Sequence, residues 1–290
     1  MPNTQALKSR IRSVKSTKQI TKAMQLVAAS KMRRAQEATK ASSPYTDAAR
    51  QLLANLSGHA SVKDHPLFVQ RPVKTRLLIV IASDRGLAGA FNSNLTRLYA
   101  QELISDDKQG IKNATITVGR KAAQFVARLK DTEVLGSYQD LPDRPDSVAL
   151  HAILDTARQL FTSGEVDAVD LIYTDFVNSV VQRAVVQRVL PAGVDADLQT
   201  SAVHQDVAYE PSVREVLDGV ASRLVGAQLY QALLDSRASE YSMRMMAMKS
   251  ATDNATDLID DLTLEMNKVR QGAITQELAE ISGGVEALND

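Results

Sequence analysis

A glycine-bearing loop, Ser83-Asp84-Arg85-Gly86-Leu87-Ala88-Gly89-Ala90, lies between a continuous apolar run, residues 77–82, and a helical pattern from about Asn92. Such a turn aims backbone N–H groups at the start of a helix, so phosphate chemistry is the first to test. The spacing does not support it. Gly86-x-x-Gly89 matches neither G-x-G-x-x-G nor the Walker A pattern, and no Gly-Lys-Ser/Thr occurs in the chain. A tight strand-to-helix connection accounts for both glycines. The histidines, His59, His65, His151 and His204, lack metal-ligand spacing. Zero Cys removes disulfides, thiolate catalysis and Cys-ligated zinc, and fits a reducing compartment. Met243, Met245, Met246 and Met248 would suit an adaptable binding surface, but Met245 and Met248 fall on a helical seam and pack there. Asp260, Asp261 and Glu265 form a solvated helix face. No nucleophile, base and oxyanion donor converge, so no catalytic, cofactor-binding or metal residue is assigned.

The elements that carry these residues are unusual in length. Leu217, Val220, Leu224, Ala227, Gln231 and Leu234 begin a stripe that alternates spacings of three and four residues. It continues through Ala238, Tyr241, Met245, Met248, Thr252 and Ala255 to Ile259, Leu262, Met266 and Val269. A 3.5-residue apolar repeat keeps one face toward one partner, which is the pattern of a left-handed coiled coil. Between Gly226 and Gly272 no Gly or Pro interrupts the run. At 1.5 Å per residue a helix from Val213 to about Ile281 is roughly 100 Å long, too long for one domain core to cover. A second helix is predicted from Thr4 to about Leu56, with Leu7, Ile11, Val14, Ile20, Met24, Val27 and Ala28 as a looser stripe and a break in phase near Thr17. The two helices most simply pair with each other, antiparallel, and the C-terminal one projects alone past Met1.

Composition agrees: aromatic residues are 4% and Trp is absent, which suits long helices better than a compact aromatic core. The net charge of +0 hides an asymmetry. Thr4 to Lys40 holds ten Lys/Arg against the single acid Glu37, whereas Val213 to Gln271 holds nine Asp/Glu against seven Lys/Arg. The basic helix needs an acidic partner beyond its own chain. Nucleic acid is one candidate, but the charges encircle the helix and no aromatics interleave to stack on bases, so an acidic protein surface fits better. No run of eighteen apolar residues exists and the start lacks a signal-peptide core, so no membrane insertion is expected.

Between the helices, residues 57–75 read as a polar connector. Strands are expected at 77–82, 114–118, 133–135, 169–174 and 181–190, with helices at about 92–105, 120–130 and 147–162; the last two strands form a hairpin. A loop over 191–212 ends at Ser212, a candidate cap for the C-terminal helix.

The ends of the chain are the specific part. Residues 11–31, IRSVKSTKQITKAMQLVAASK, resemble the opening helix of the F-type ATP synthase gamma subunit. Ala247–Ala255, AMKSATDNA, and Arg270–Ile281, RQGAITQELAEI, are similar to that family's C-terminal signature, and Ser83–Asn92 to its central loop. Leu87-Ala88-Gly89-Ala90 departs from the commoner Leu-Cys-Gly-Gly, and the Cys-bearing regulatory insertion of chloroplast members is missing. The resemblance implies an α/β fold: a long antiparallel coiled coil of N- and C-terminal helices plus a small central α/β (Rossmann-like) domain. The expected division is 1–57 helix, 58–74 connector, 75–191 central domain, 192–211 foot loop and 212–290 helix and tip. It implies a non-catalytic rotor shaft in a ring of alternating alpha and beta subunits, with epsilon and the membrane c-ring at its foot. It also implies peripheral attachment at the cytoplasmic face of a bacterial plasma membrane. Arg270, Gln271, Thr275 and Glu277 match the cluster that catches beta-subunit loops. Met24 and Arg244 match positions near the acidic beta loop, and Tyr209 and Glu210 match the foot. The alternatives are a free-standing coiled-coil nucleic-acid binder or scaffold and a cryptic nucleotide-binding enzyme.

Overall fold

The computed structural model describes residues 4–57, 65–129, 132–143, 147–193 and 213–289. Its elements are α1 (Thr4–Ser57), β1 (Thr75–Ile81), α2 (Phe91–Gln109), β2 (Lys112–Val118) and α3 (Arg120–Val126), then β3 (Glu133–Tyr138), α4 (Ser147–Ser163), β4 (Ala168–Phe176), β5 (Gln182–Leu190) and α5 (Val213–Asn289). The chain forms two compact units, Met1–Ala28 with Arg244–Asp290, and Ala29–Met243.

The larger unit is built on a five-stranded sheet of order β3-β2-β1-β4-β5. All neighbours are parallel except β4 and β5, the expected hairpin. β1 is buried along both faces, as its unbroken apolar run requires. Leu77, Ile79 and Ile81 point into a core shared with α4 and with Leu53 and Leu56 of α1 and Leu224 and Leu229 of α5. Leu78 and Val80 point the other way, onto Leu95 and Tyr99 of α2 and Val126 of α3. The result is a three-layer α/β body in which the long helices supply part of one layer. Gly226 lets α4 close on α5, since a Cβ there would stand 3.1 Å from Leu154 Cδ2. The connector is less polar in effect than in composition: Leu67 and Phe68 are buried, and Ala192 N–H donates to Leu67 O at 2.7 Å. At the amino end of β1, Arg76 is buried against Glu102 at 2.8 Å and Asp106 at 3.0 Å, and pairs with Asp170, which also holds Arg188. A buried guanidinium persists only with such partners.

In the smaller unit the helices run antiparallel. Leu7 and Ile11 pack with Ile259 and Leu262, and Val14, Met266 and Val269 close the cluster. Further along, the Thr252 hydroxyl meets that of Thr21 at 2.8 Å, so the numbers rise on one helix as they fall on the other. The α5 seam is as expected, with Met248, Thr252, Ala255, Ile259 and Leu262 buried. The α1 seam is not. It has no break near Thr17 but runs Leu7, Ile11, Val14, Lys18, Thr21, Gln25, Ala28, an unbroken alternation of four and three, with polar members half-buried. Ile20 and Val27, expected on the stripe, are 58% and 59% exposed. Polar residues took seam positions and apolar ones left them, which reads as a phase slip when only hydrophobicity is followed. Beyond Val269 every described side chain to Ser282 is exposed. That stretch has left its partner helix behind.

Candidate functional site

In open parallel sheets, ligands bind outside the carboxyl ends of strands, where the strand order reverses. Here that place lies beyond β1 and β4, at the glycine-bearing loop. Ser83 Oγ donates to Arg85 O at 2.7 Å, and Ser83 N–H donates to Asn92 Oδ1 at 3.2 Å, folding the loop on itself. Asp84 Oδ1 accepts N–H bonds from Arg120 at 3.0 Å and Asp140 at 3.1 Å, tying the ends of β1, β2 and β3 together. Gly119 has φ of 91°, and a Cβ on it would overlap the Ala82 carbonyl.

Helix α5 is seated against the same end of the sheet. Thr174 N–H donates to Ser236 Oγ and Ser239 Oγ donates to Thr174 O, each at 3.3 Å. Ser242 Oγ donates to Ser179 O at 2.7 Å. Arg237 reaches Asp84 at 3.5 Å and donates to Leu141 O at 2.8 Å. Small hydroxyl side chains let a helix come this close while satisfying the strand's backbone groups. The loop is a junction that seats a helix.

Two polar clusters here escaped sequence analysis. Lys31 stands 3.1 Å from Asp143 and 5.1 Å from the centre of the Tyr241 ring, and the Tyr241 hydroxyl donates to Asp143. Burial and the Asp143 charge push the Tyr241 hydroxyl above its usual range. Burial alone would raise the Asp143 carboxyl, but the Tyr241 hydrogen bond and Lys31 outweigh it and hold it low. Deeper in the same unit, Asp235 is buried, with Gln231 Nε2 donating to its Oδ1 at 3.0 Å. Burial, then the charge of Asp175, push its carboxyl up to about 7, against the opposing pull of Gln231 and Arg50. Polar Gln231 in an apolar repeat was the one visible sign of this cluster.

The expected contact residues fall in different settings. Arg270, Gln271, Thr275 and Glu277 are all exposed, on the part of α5 past the seam. Thr275 Oγ1 donates to Gln271 O at 2.9 Å, within the helix, and Arg270 and Glu277 have no partner among the described residues. Met24 is half-buried, while Arg244 is buried and so presents little charge to a surface. Tyr209 and Glu210, and the Ser212 cap, lie outside the described residues. His65 is half-buried, its Nδ1 accepting Leu67 N–H at 3.2 Å, His151 is exposed, and His59 and His204 are not described. Among the described residues no group of three His, Asp or Glu side chains could hold a metal.

Comparison with known proteins settles the family. The ATP synthase family model matches residues 3–288. The chain belongs to the ATP synthase gamma chain family. It is 40% identical to the gamma chain of Ralstonia nicotianae over 99% of this chain and 100% of that one. It is 43% identical to that of Herpetosiphon aurantiacus, covering all of both. Among solved structures, the central stalk and c-ring assembly of the Tetrahymena thermophila mitochondrial ATP synthase contains a chain with TM-score 0.61 and 26% identity, covering 80% of this chain and 99% of that one. A chain of the Euglena gracilis mitochondrial enzyme shares the fold, with TM-score 0.66 at 18% identity over 98% and 94%. As a gamma chain, this protein is the rotor-shaft subunit of an ATP synthase, and a free-standing nucleic-acid binder is not favoured. No helix among the described residues is long and apolar enough to cross a membrane.

Proposed function

We propose that this gamma chain couples ion flow to ATP chemistry by turning inside a ring of alpha and beta subunits, while epsilon and a membrane c-ring hold its foot. The observation that carries the proposal is the end of α5. From Arg270 to Ser282 every side chain is exposed, with no intrachain packing to explain the polar set Arg270, Gln271, Thr275 and Glu277. A charged hydrogen bond from such a group to a beta-subunit loop contributes roughly 1.5–3 kcal/mol, and only bonds that differ between rotary positions drive the sites through a cycle. Met24 lies on the same helical unit as a further beta contact. Arg244, being buried, acts there by shaping the helix pair rather than as a free charge. Tyr209 and Glu210 serve the foot.

The chain itself is non-catalytic in this reading: among the described residues, α5 is seated at the crevice of nucleotide-site topology beyond β1 and β4. For this role residues 1–57 and 212–290 form the shaft, 58–74 a connector, 75–191 the central domain and 192–211 the foot loop. The subunit works peripherally, at the cytoplasmic face of a bacterial plasma membrane. The test is purification of the tagged chain from its native membranes. An ATP-hydrolysing complex with alpha, beta, epsilon and c subunits should come with it, and Glu210→Ala should weaken retention of epsilon or the c-ring without loss of hydrolysis by the head. Recovery of the chain without any ATP-hydrolysing partner would overturn the proposal.

A further inference from the structure

The grip of the larger unit on α5 has a geometry that packing alone does not need. Successive residues of a helix are turned by about 100°, so Ser236, Ser239 and Ser242 cluster about one direction, whereas Arg237 and Tyr241 cluster about a direction roughly opposite. The serines are held by Thr174 and Ser179, at the end of β4 and in the β4–β5 turn. Arg237 and Tyr241 are held by Asp84, Leu141 and Asp143, in the loops after β1 and β3. Lys31 of α1 joins through Asp143.

Apolar packing is non-directional, so it resists rotation of a helix about its own axis less sharply than fixed hydrogen bonds do. Directional bonds on opposite sides of a helix form a couple that resists that rotation. The Arg237 and Asp84 side chains are 15% and 12% exposed, so their attraction is screened little by salt. Lys31 and Asp143 are 44% and 53% exposed and hold less strongly on their own, which makes the Tyr241 hydroxyl the key to that arm.

We infer that Arg237 with Asp84, and Tyr241 with Asp143 and Lys31, are positioning residues for coupling: they form the clamp through which torque passes from the central sheet into α5. The inference rests on the rotor role proposed above. Without the clamp, α5 yields under load before the torque reaches the catalytic head. Unloaded turnover, which needs little torque, is left alone.

The test uses the whole complex reconstituted in vesicles, with Tyr241→Phe and Tyr241→Phe/Arg237→Lys gamma chains. ATP hydrolysis is measured with an ionophore, where there is no load, and ion pumping is measured against a standing gradient. Unloaded hydrolysis should match the unsubstituted complex, while ions pumped per ATP against the gradient fall by about fivefold, the ratio that one lost hydrogen bond allows. Because the chain contains no Cys, a Tyr241→Cys/Asp143→Cys chain can be bridged with a short bismaleimide before assembly, which ties α5 to the loop after β3 directly. The unbridged form should pump about fivefold fewer ions per ATP against the gradient, and the bridged form should recover the unsubstituted ratio. Equal loss of loaded and unloaded rates, unchanged pumping, or no rescue by the bridge would overturn the clamp. If the unsubstituted complex itself fails to couple, the rotor role is what falls.

Discussion

Asp235 offers a stability test with a definite sign. Its carboxyl is buried and stands at about 7 in the folded chain against 3.8 for the free group. In the unfolded chain it ionises freely above pH 4, so folding must either retain a proton or bury a charge. Below about pH 3.8 both states are neutral and the residue costs nothing. The cost grows as pH rises from there and is complete above about pH 7, where the displacement corresponds to about 4 kcal/mol. Asp235→Asn is neutral at every pH and keeps the oxygen that accepts from Gln231 Nε2. The variant should therefore gain up to about 4 kcal/mol at pH 8 and almost nothing at pH 4. Urea unfolding of the full chain from pH 4 to 9 measures the difference, and hydrogen exchange of amides 231–239 reads it locally. Background titrations cancel between the two proteins. A difference that does not change with pH would mean Asp235 has the same proton affinity folded and unfolded, and would refute the assignment. A variant less stable at pH 8 would mean the ionised carboxylate is a net stabiliser, held by Arg50.

Leu262→Asp should cost about 3–5 kcal/mol by placing an unpaired charge in the seam, seen as loss of helical protection at Leu7 and Ile11 and failed assembly. Arg270→Leu or Glu277→Ala should shift unfolding by less than about 0.5 kcal/mol, since both are exposed, yet slow multisite ATP turnover far more than single-site hydrolysis. Equal effects on both would make the end of α5 a passive bearing. Gly119→Ala should destabilise the larger unit by more than about 2 kcal/mol, measured by thermal unfolding, because φ is 91° and the new Cβ meets the Ala82 carbonyl.

The regular features of the fold were legible because local rules governed them. The apolar run 77–82 could only be a strand covered on both sides, and the α5 repeat could only be a seam. Where polar residues took buried places, pattern failed. Thr21 meets Thr252 across the helix pair, so hydrophobicity alone moved the α1 stripe onto Ile20 and Val27, which are exposed. Helix α3 ends at Val126 rather than at residue 130. Asp143 and Tyr241 are far apart in sequence, and nothing local marks them as partners. The spacing of the glycine loop argued against phosphate binding, but that α5 would be seated beside it was beyond the reach of spacing. At the far end of α5 the converse holds: exposure of Arg270 and Glu277 follows from helix lengths, while the contacts proposed for them rest on the sequence resemblance alone.

The helix seated beyond β1 and β4 also changes what the central domain can sense. A diffusible ligand leaves its site when its supply falls, so any domain that binds one reports on abundance. An occupant joined covalently to its host is governed by effective concentration, which neither dilution nor competition from the surrounding pool alters much. In the rotor role proposed above, such an occupant makes the domain a fixed mount for α5 and not a gauge of supply.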